Sequence, residues 1–325
     1  MPWQGDPVAT DHAPLEIACD ESGYEGEKLV GTTTDVFAHG SVHLSYAAAA
    51  ECMAELRARI RSPATEYKAN HLLREKHRRV LVWLLSPASP AFGATHVYLV
   101  DKTTFLLDRL VTVLLDDPAQ AAVLCREVIL AREARTAVHW RPFLQSANDL
   151  LRTKERPDAV PPVEGFVRAV EALRRGGPAE PADQTLKLLA AARSRAEAHR
   201  MAVHTSPPAL PLLDPLVPAI ERAVRFWGHP GRPVTIVHDR QNTLRPDRVA
   251  ALRDRIPALA GLTLVSSEND PRVQVADIVA GAVRKIASDE LVGAGDPELT
   301  ALLPPFVDSA SLLPTSASTS PHERR

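Results

Sequence analysis

Asp20 and Asp239 each stand where a run of strand-forming residues stops. Leu15-Glu-Ile-Ala-Cys-Asp20 alternates in polarity and then meets the turn-forming Glu21-Ser22-Gly23. Pro233-Val-Thr-Ile-Val-His-Asp239 has the apolar pattern of a buried strand. Open sheets place their sites in the crevice at the carboxyl ends of the strands. Carboxylates gathered there repel, and a fold keeps them together only where protons or cations compensate. Mg²⁺ and Mn²⁺ suit this task, because they prefer oxygen ligands and retain open water positions. Two such ions about 4 Å apart can activate a water and stabilise the oxygen leaving a phosphodiester. Each aspartate taken alone would serve equally well as a turn residue or helix cap.

Asp277 lies in a segment, Val273 to Ile286, with helical periodicity. At about 100° per residue, Val275, Ile278, Val279, Ala282, Val283 and Ile286 form one apolar stripe. Asp277 falls nearly opposite, beside Ala280, Gly281 and Arg284. Either that face is solvated, or the small Ala276, Ala280 and Gly281 let the helix approach the sheet and carry Asp277 into the site. Helix geometry leaves both open. His238 precedes Asp239 in a strand, so the two side chains point to opposite faces. His238 is then a packed residue, unless the backbone turns sharply enough for it to shuttle protons.

Other signals carry less. His39 and His43 have helical ligand spacing, but Gly40 and the strand pattern spoil that geometry. Gly23-Tyr-Glu-Gly26-Glu-Lys28 lacks the spacing of a phosphate loop, and Glu25 and Glu27 would repel a phosphate. Ser22 has no nucleophile-elbow motif around it. The basic run from Lys68 to Arg79 is either a phosphate-tracking helix or a solvated face. Glu66 and Lys68, two residues apart, would project together from extended backbone but not from a helix.

The elements that must position these residues form two blocks. Strands are expected at Leu15–Asp20, Asp35–Val42 (its antiparallel partner), Thr95–Val100, Val234–Asp239 and Leu262–Ser266. Helices are expected at Ser45–Ile60, Ala69–Leu85, Arg245–Ile256 and Val273–Ile286. Between the blocks, residues 105–229 read as helices separated by proline clusters, at Leu106–Leu115, Gln120–Arg135, Val163–Arg175, Thr185–His199 and Leu212–Trp227. The expected organisation is an α/β core formed by residues 10–104 and 230–295, interrupted by a helical insertion at 105–229. Residues 296–325 form a C-terminal segment rich in Ser, Thr and Pro at its end, with the composition of a disordered tail.

Composition bounds the partners. The 325 residues are 45% hydrophobic and 24% charged, enough to bury a sizeable core, and the net charge of -2 argues against a binder driven by a global positive field. The three cysteines, Cys19, Cys52 and Cys125, form no C-x-x-C pair, so neither a disulfide framework nor a zinc knuckle is indicated, and a reducing cytoplasm fits. No signal peptide and no membrane span are expected.

The ordered motifs resemble the domain-of-unknown-function 3800 family. They are Cys19-Asp20-Glu21-Ser22-Gly23, Glu66-Tyr67-Lys68, Tyr98-Leu-Val-Asp-Lys102, Ile236-Val-His-Asp239-Arg-Gln, and Pro271-Arg-Val-Gln274-Val-Ala276-Asp277-Ile-Val-Ala280. The similarity covers about 10–104 and 230–290. It implies an RNase H-like mixed sheet with flanking helices and a metal-dependent nuclease activity. By the same resemblance, Asp20, Glu66, Asp239 and Asp277 would be the carboxylate ligands of Mg²⁺ or Mn²⁺, with Glu21 an alternate ligand. Lys68 would contact a phosphate or pair with Glu66. The expected partner is RNA or DNA as substrate. The other function kept open is a non-catalytic RNase H-like scaffold that binds nucleic acid or a protein partner through the helical insertion.

Overall fold

The computed structural model describes residues 13–61, 68–133, 137–155, 160–228 and 231–314. Five strands, β1 (Leu15–Ser22), β2 (Val36–Val42), β3 (Thr95–Asp101), β4 (Val234–Asp239) and β5 (Leu259–Val265), form one mixed sheet in the order β3-β2-β1-β4-β5. β2 runs antiparallel to both β1 and β3, whereas β4 runs parallel to β1 and β5 parallel to β4. Every strand but β2 therefore points the same way. β2 and β3 are buried along their whole length, as strands covered on both faces must be.

One face carries Ala18, Asp20, Ala38, Gly40, Val237 and Asp239, by the two-residue alternation of a strand. It is covered by α12 (Pro271–Leu291), with α1 (Tyr46–Ile60), α2 (Ala69–Leu72) and α3 (Arg78–Leu84) outside it. α12 begins cleanly. Asp270 caps it by accepting the Arg272 N–H at 2.9 Å, Pro271 takes the first turn, and Arg272 reaches Glu16 of β1 at 2.6 Å. Gly40 explains how closely this helix lies on the sheet. A Cβ there would stand 2.8 Å from the Ala276 carbonyl oxygen and 3.1 Å from the Ala280 Cβ.

The opposite face carries Ile17, Cys19, Phe37 and Tyr98, which share one continuous core with the inserted helices. These are α4 (Lys102–Leu114), α5 (Pro118–Glu133), α6 (Arg141–Leu151), α7 (Pro162–Arg175), α8 (Glu180–Ala191), α9 (Arg193–Thr205) and α10 (Leu216–Trp227). α11 (Pro246–Arg255) connects β4 to β5, and α13 (Pro297–Thr300) follows α12.

Three expectations are corrected. The helix expected over 69–85 is broken: Arg74 is extended (ψ 139°), a short 3₁₀ turn spans Glu75–His77, and α3 restarts at Arg78. The break lets Arg78 fork onto Asp296 and Glu298, at 2.5 and 2.6 Å, and separates cations that a continuous helix would crowd together. The helix expected at Thr185–His199 is two helices that meet at Ala192. Residues 296–314 do not form a tail. They run back along β3, where the Val97 N–H donates to the Phe306 carbonyl and the Leu312 N–H to the Leu99 carbonyl, both at 2.8 Å. Residues 315–325 lie outside the described residues.

Candidate functional site

The parallel register between β1 and β4 pairs Cys19 with His238, so the next residues, Asp20 and Asp239, stand side by side at the carboxyl ends of adjacent strands. Neighbouring strands lie about 5 Å apart, and both side chains face α12. Asp20 is buried (7% exposed). Its carboxyl is pushed up to about 9, first by burial and then by the charges of Glu21, Asp277 and Asp239. The fold thus sets Asp239 beside Asp20 and brings the charges of Asp277 and Glu21 to bear on it, from two strands and one helix. Glu66 lies outside the described residues.

The four acids are held differently. Asp20 Oδ1 accepts the Glu21 backbone N–H at 2.7 Å, and Asp239 Oδ1 accepts the Ser267 N–H at 2.9 Å. Among the described residues, the second oxygen of each takes part in no hydrogen bond. Gln274, one helical turn before Asp277, donates to the Ser267 carbonyl at 2.8 Å and accepts from Arg57 at 3.3 Å. It thereby fixes the turn that holds Asp239. Asp277 itself is half-buried on α12. Lys68 stands exposed before α2, whose Ala69 packs against Gly281 of α12: a Cβ on Gly281 would come within 2.5 Å of the Ala69 Cβ.

Glu21 points to the other face of the sheet. It accepts from the Gln241 side-chain amide, and its Oε2 lies 3.6 Å from His238 Nε2. His238 is fully buried, with its Nδ1 beside the Asp239 carbonyl at 2.9 Å, so it packs behind the sheet. His39 is buried next to it, with ring centroids 5.4 Å apart, and burial holds its imidazole well below the ordinary range. Glu21 therefore acts on Asp20 through the strand by charge.

Arg284, which the sequence placed on the same face of the helix as Asp277, donates from Nε to Ser22 Oγ at 2.9 Å. It ties α12 to the end of β1, two residues beyond Asp20. That bond depends on which strand end the helix crosses, so no sequence signal announced it.

Among the described residues, no group of three or more His, Cys, Asp or Glu side chains is arranged to hold a metal ion. The donors nonetheless suit a hard cation, and the electrostatic load on Asp20 is of the kind that a cation relieves. Mg²⁺ is ordinarily held by one or two carboxylates, completed by waters and substrate phosphates, rather than by a protein cage. Asp20 and Asp239, each with one oxygen to spare, fit that mode.

No family model, no curated protein and no solved structure matches the chain. Among the described residues, no helix is long and apolar enough to cross a membrane.

Proposed function

We propose that the chain is an RNase H-like, metal-dependent nuclease that hydrolyses phosphodiester bonds of RNA or DNA. The observation that carries this reading is the buried Asp20 carboxyl, crowded by Asp239, Asp277 and Glu21 and raised to about 9. A mixed sheet with helices on both faces and aspartates at adjacent strand ends supports the RNase H-like assignment.

Asp20 and Asp239 would hold Mg²⁺ or Mn²⁺, with Asp277 across from them on α12. The ion supplies Lewis acidity toward water and the phosphoryl oxygens. The chain's own part is geometric and electrostatic. Ser267, braced by Gln274, fixes one oxygen of Asp239. The Glu21 backbone fixes one oxygen of Asp20. Close packing of α12 at Gly40 sets how near Asp277 stands to both. Lys68, exposed before α2, would add positive charge on the approach of a phosphate.

Labelled single- and double-stranded RNA and DNA incubated with the full chain and Mg²⁺ or Mn²⁺ test this. At least one substrate should be cut. Asp20→Asn and Asp239→Asn should each reduce cutting by at least about 100-fold. Cutting that survives in both variants rules the assignment out.

A further inference from the structure

A cleft of about 440 Å³ opens between the loop leading into β2, α2 with the residues after it, and the C-terminal half of α12. Three cations line it: Arg74, Arg284 and Lys285. Thr33, Asn70 and Ser288 add hydroxyl and amide groups. Lys285 is paired one helical turn on with Asp289, and Asp35 is the one acid in the lining. Among the described residues, neither Arg74 nor Arg284 has an ion-pair partner, and Arg284 makes its one side-chain hydrogen bond through Nε, leaving both Nη atoms for a ligand. Behind the cleft the buried Lys102 donates to Thr34 Oγ1 at 3.1 Å, with Glu25 at 3.8 Å.

Two glycines build this place. Gly23 has φ +78°, and a Cβ there would meet the Val36 carbonyl oxygen at 2.5 Å and Arg284 Cδ at 2.9 Å, so Arg284 can cross the turn that ends β1. Gly281 lets Ala69 sit against α12, which swings Asn70 and Arg74 to face Arg284. Asp277, Gly281, Arg284 and Ser288 recur at helical spacing, so one acid of the site and one cation of the cleft lie along one line of α12. Seven residues of helix, from Asp277 to Arg284, span roughly 10 Å.

We propose that this cleft binds a backbone phosphate of the nucleic-acid strand whose scissile bond is positioned at Asp20 and Asp239. The inference rests on the nuclease reading for what lies at the acids, but the cleft's affinity for a strand is measured separately. Guanidinium nitrogens suit paired phosphate oxygens, and Lys285 adds a point charge. The lining holds no aromatic side chain, so binding should follow the backbone rather than read bases.

The test is binding of a fluorescent single-stranded 20-mer, as RNA and as DNA, to the full chain in EDTA over a range of salt. Arg74→Ala/Lys285→Ala removes two exposed cations from the cleft, with little risk to folding. Arg175→Ala/Lys187→Ala removes the same charge from the insertion, including a lysine equally paired one turn away. The cleft variant should bind roughly tenfold more weakly, and the slope of log K against log salt should fall by about 0.7 for each phosphate that is no longer neutralised. The insertion variant should leave both unchanged. Equal effects from the two variants, or none from either, overturn the proposal. If the cleft variant loses binding while no substrate is cut, the cleft stands and the hydrolytic reading fails. If Asp20→Asn abolishes cutting while the cleft variant binds normally, the hydrolytic reading stands and the cleft fails.

Discussion

Asp20 decides whether the acid group behaves as a cation site. A carboxyl that titrates at about 9 is protonated at neutral pH, whereas in the unfolded chain it ionises near pH 4. Between those values the folded protein holds the extra proton, so this group's contribution to stability falls as pH rises from about 4 to about 9. Asp20→Asn removes that dependence, and at pH 8 without divalent ions it should stabilise the fold by about 1–2 kcal/mol. Chemical denaturation at pH 6 and pH 8 measures this, and an unchanged pH slope in the variant would contradict the assignment. A cation needs the ionised form, so Mn²⁺ uptake at pH 7.5 should release about one proton. Calorimetry in two buffers of different ionisation heat reads that number directly, and binding without proton release would mean the ion sits elsewhere. Asp20 and Asp239 were legible in the sequence because each ends an apolar strand run. Their adjacency was not, since it depends on the parallel register of two strands separated by the whole insertion. The opposed directions of Glu21 and Asp20, and of His238 and Asp239, follow from strand alternation alone.

α12 turns separate acids into one group, and its distance from the sheet is set by small residues. Gly40→Ala would put a Cβ 2.8 Å from the Ala276 carbonyl oxygen, a backbone atom that cannot turn aside. The helix must back away, at a cost of about 1–3 kcal/mol typical of overpacking. Asp277 is the next residue along, so it moves too. The expected result is a lower denaturation midpoint together with weaker Mn²⁺ binding. A variant destabilised but unchanged in Mn²⁺ affinity would show that α12 does not set the site. The sequence showed the small residues Ala276, Ala280 and Gly281 on this helix but left open whether their face was solvated; Gly40 on β2 supplies the missing partner. Other elements were harder to read. α6 has apolar residues at Phe143, Leu144, Ala147, Leu150 and Leu151, a helical spacing, yet Pro142 stands in its first turn and it was not separated from its surroundings. The break at Arg74 depends on Arg78 finding Asp296 and Glu298, more than 200 residues away.

At the scale of the whole molecule, the inserted helices and the sheet share one hydrophobic core. Residues from β1, β2 and β3 share a core with α4 to α10, and no apolar boundary separates them. Two polar ties cross the same junction. Trp227 of α10 donates its indole N–H to Ser41 of β2 at 2.9 Å. Asp308, from the segment that returns along β3, holds Arg222 of α10 at 2.7 Å and His96 of β3 at 2.7 Å, and its side chain is only 2% exposed. Composition suggested an insertion and a tail because helices cluster in the middle and serine, threonine and proline at the end; shared burial is not visible in composition. Calorimetric unfolding should therefore give a single peak, with calorimetric and van 't Hoff enthalpies equal. Asp308→Ala should lower stability by about 3 kcal/mol, because it strands His96 and Arg222 together. The peak should move as a whole, since the tie joins parts that unfold together. A peak that splits in two, in the wild type or in Asp308→Ala, would mean that the helices fold as a separate unit and that their common core with the sheet contributes little cooperativity.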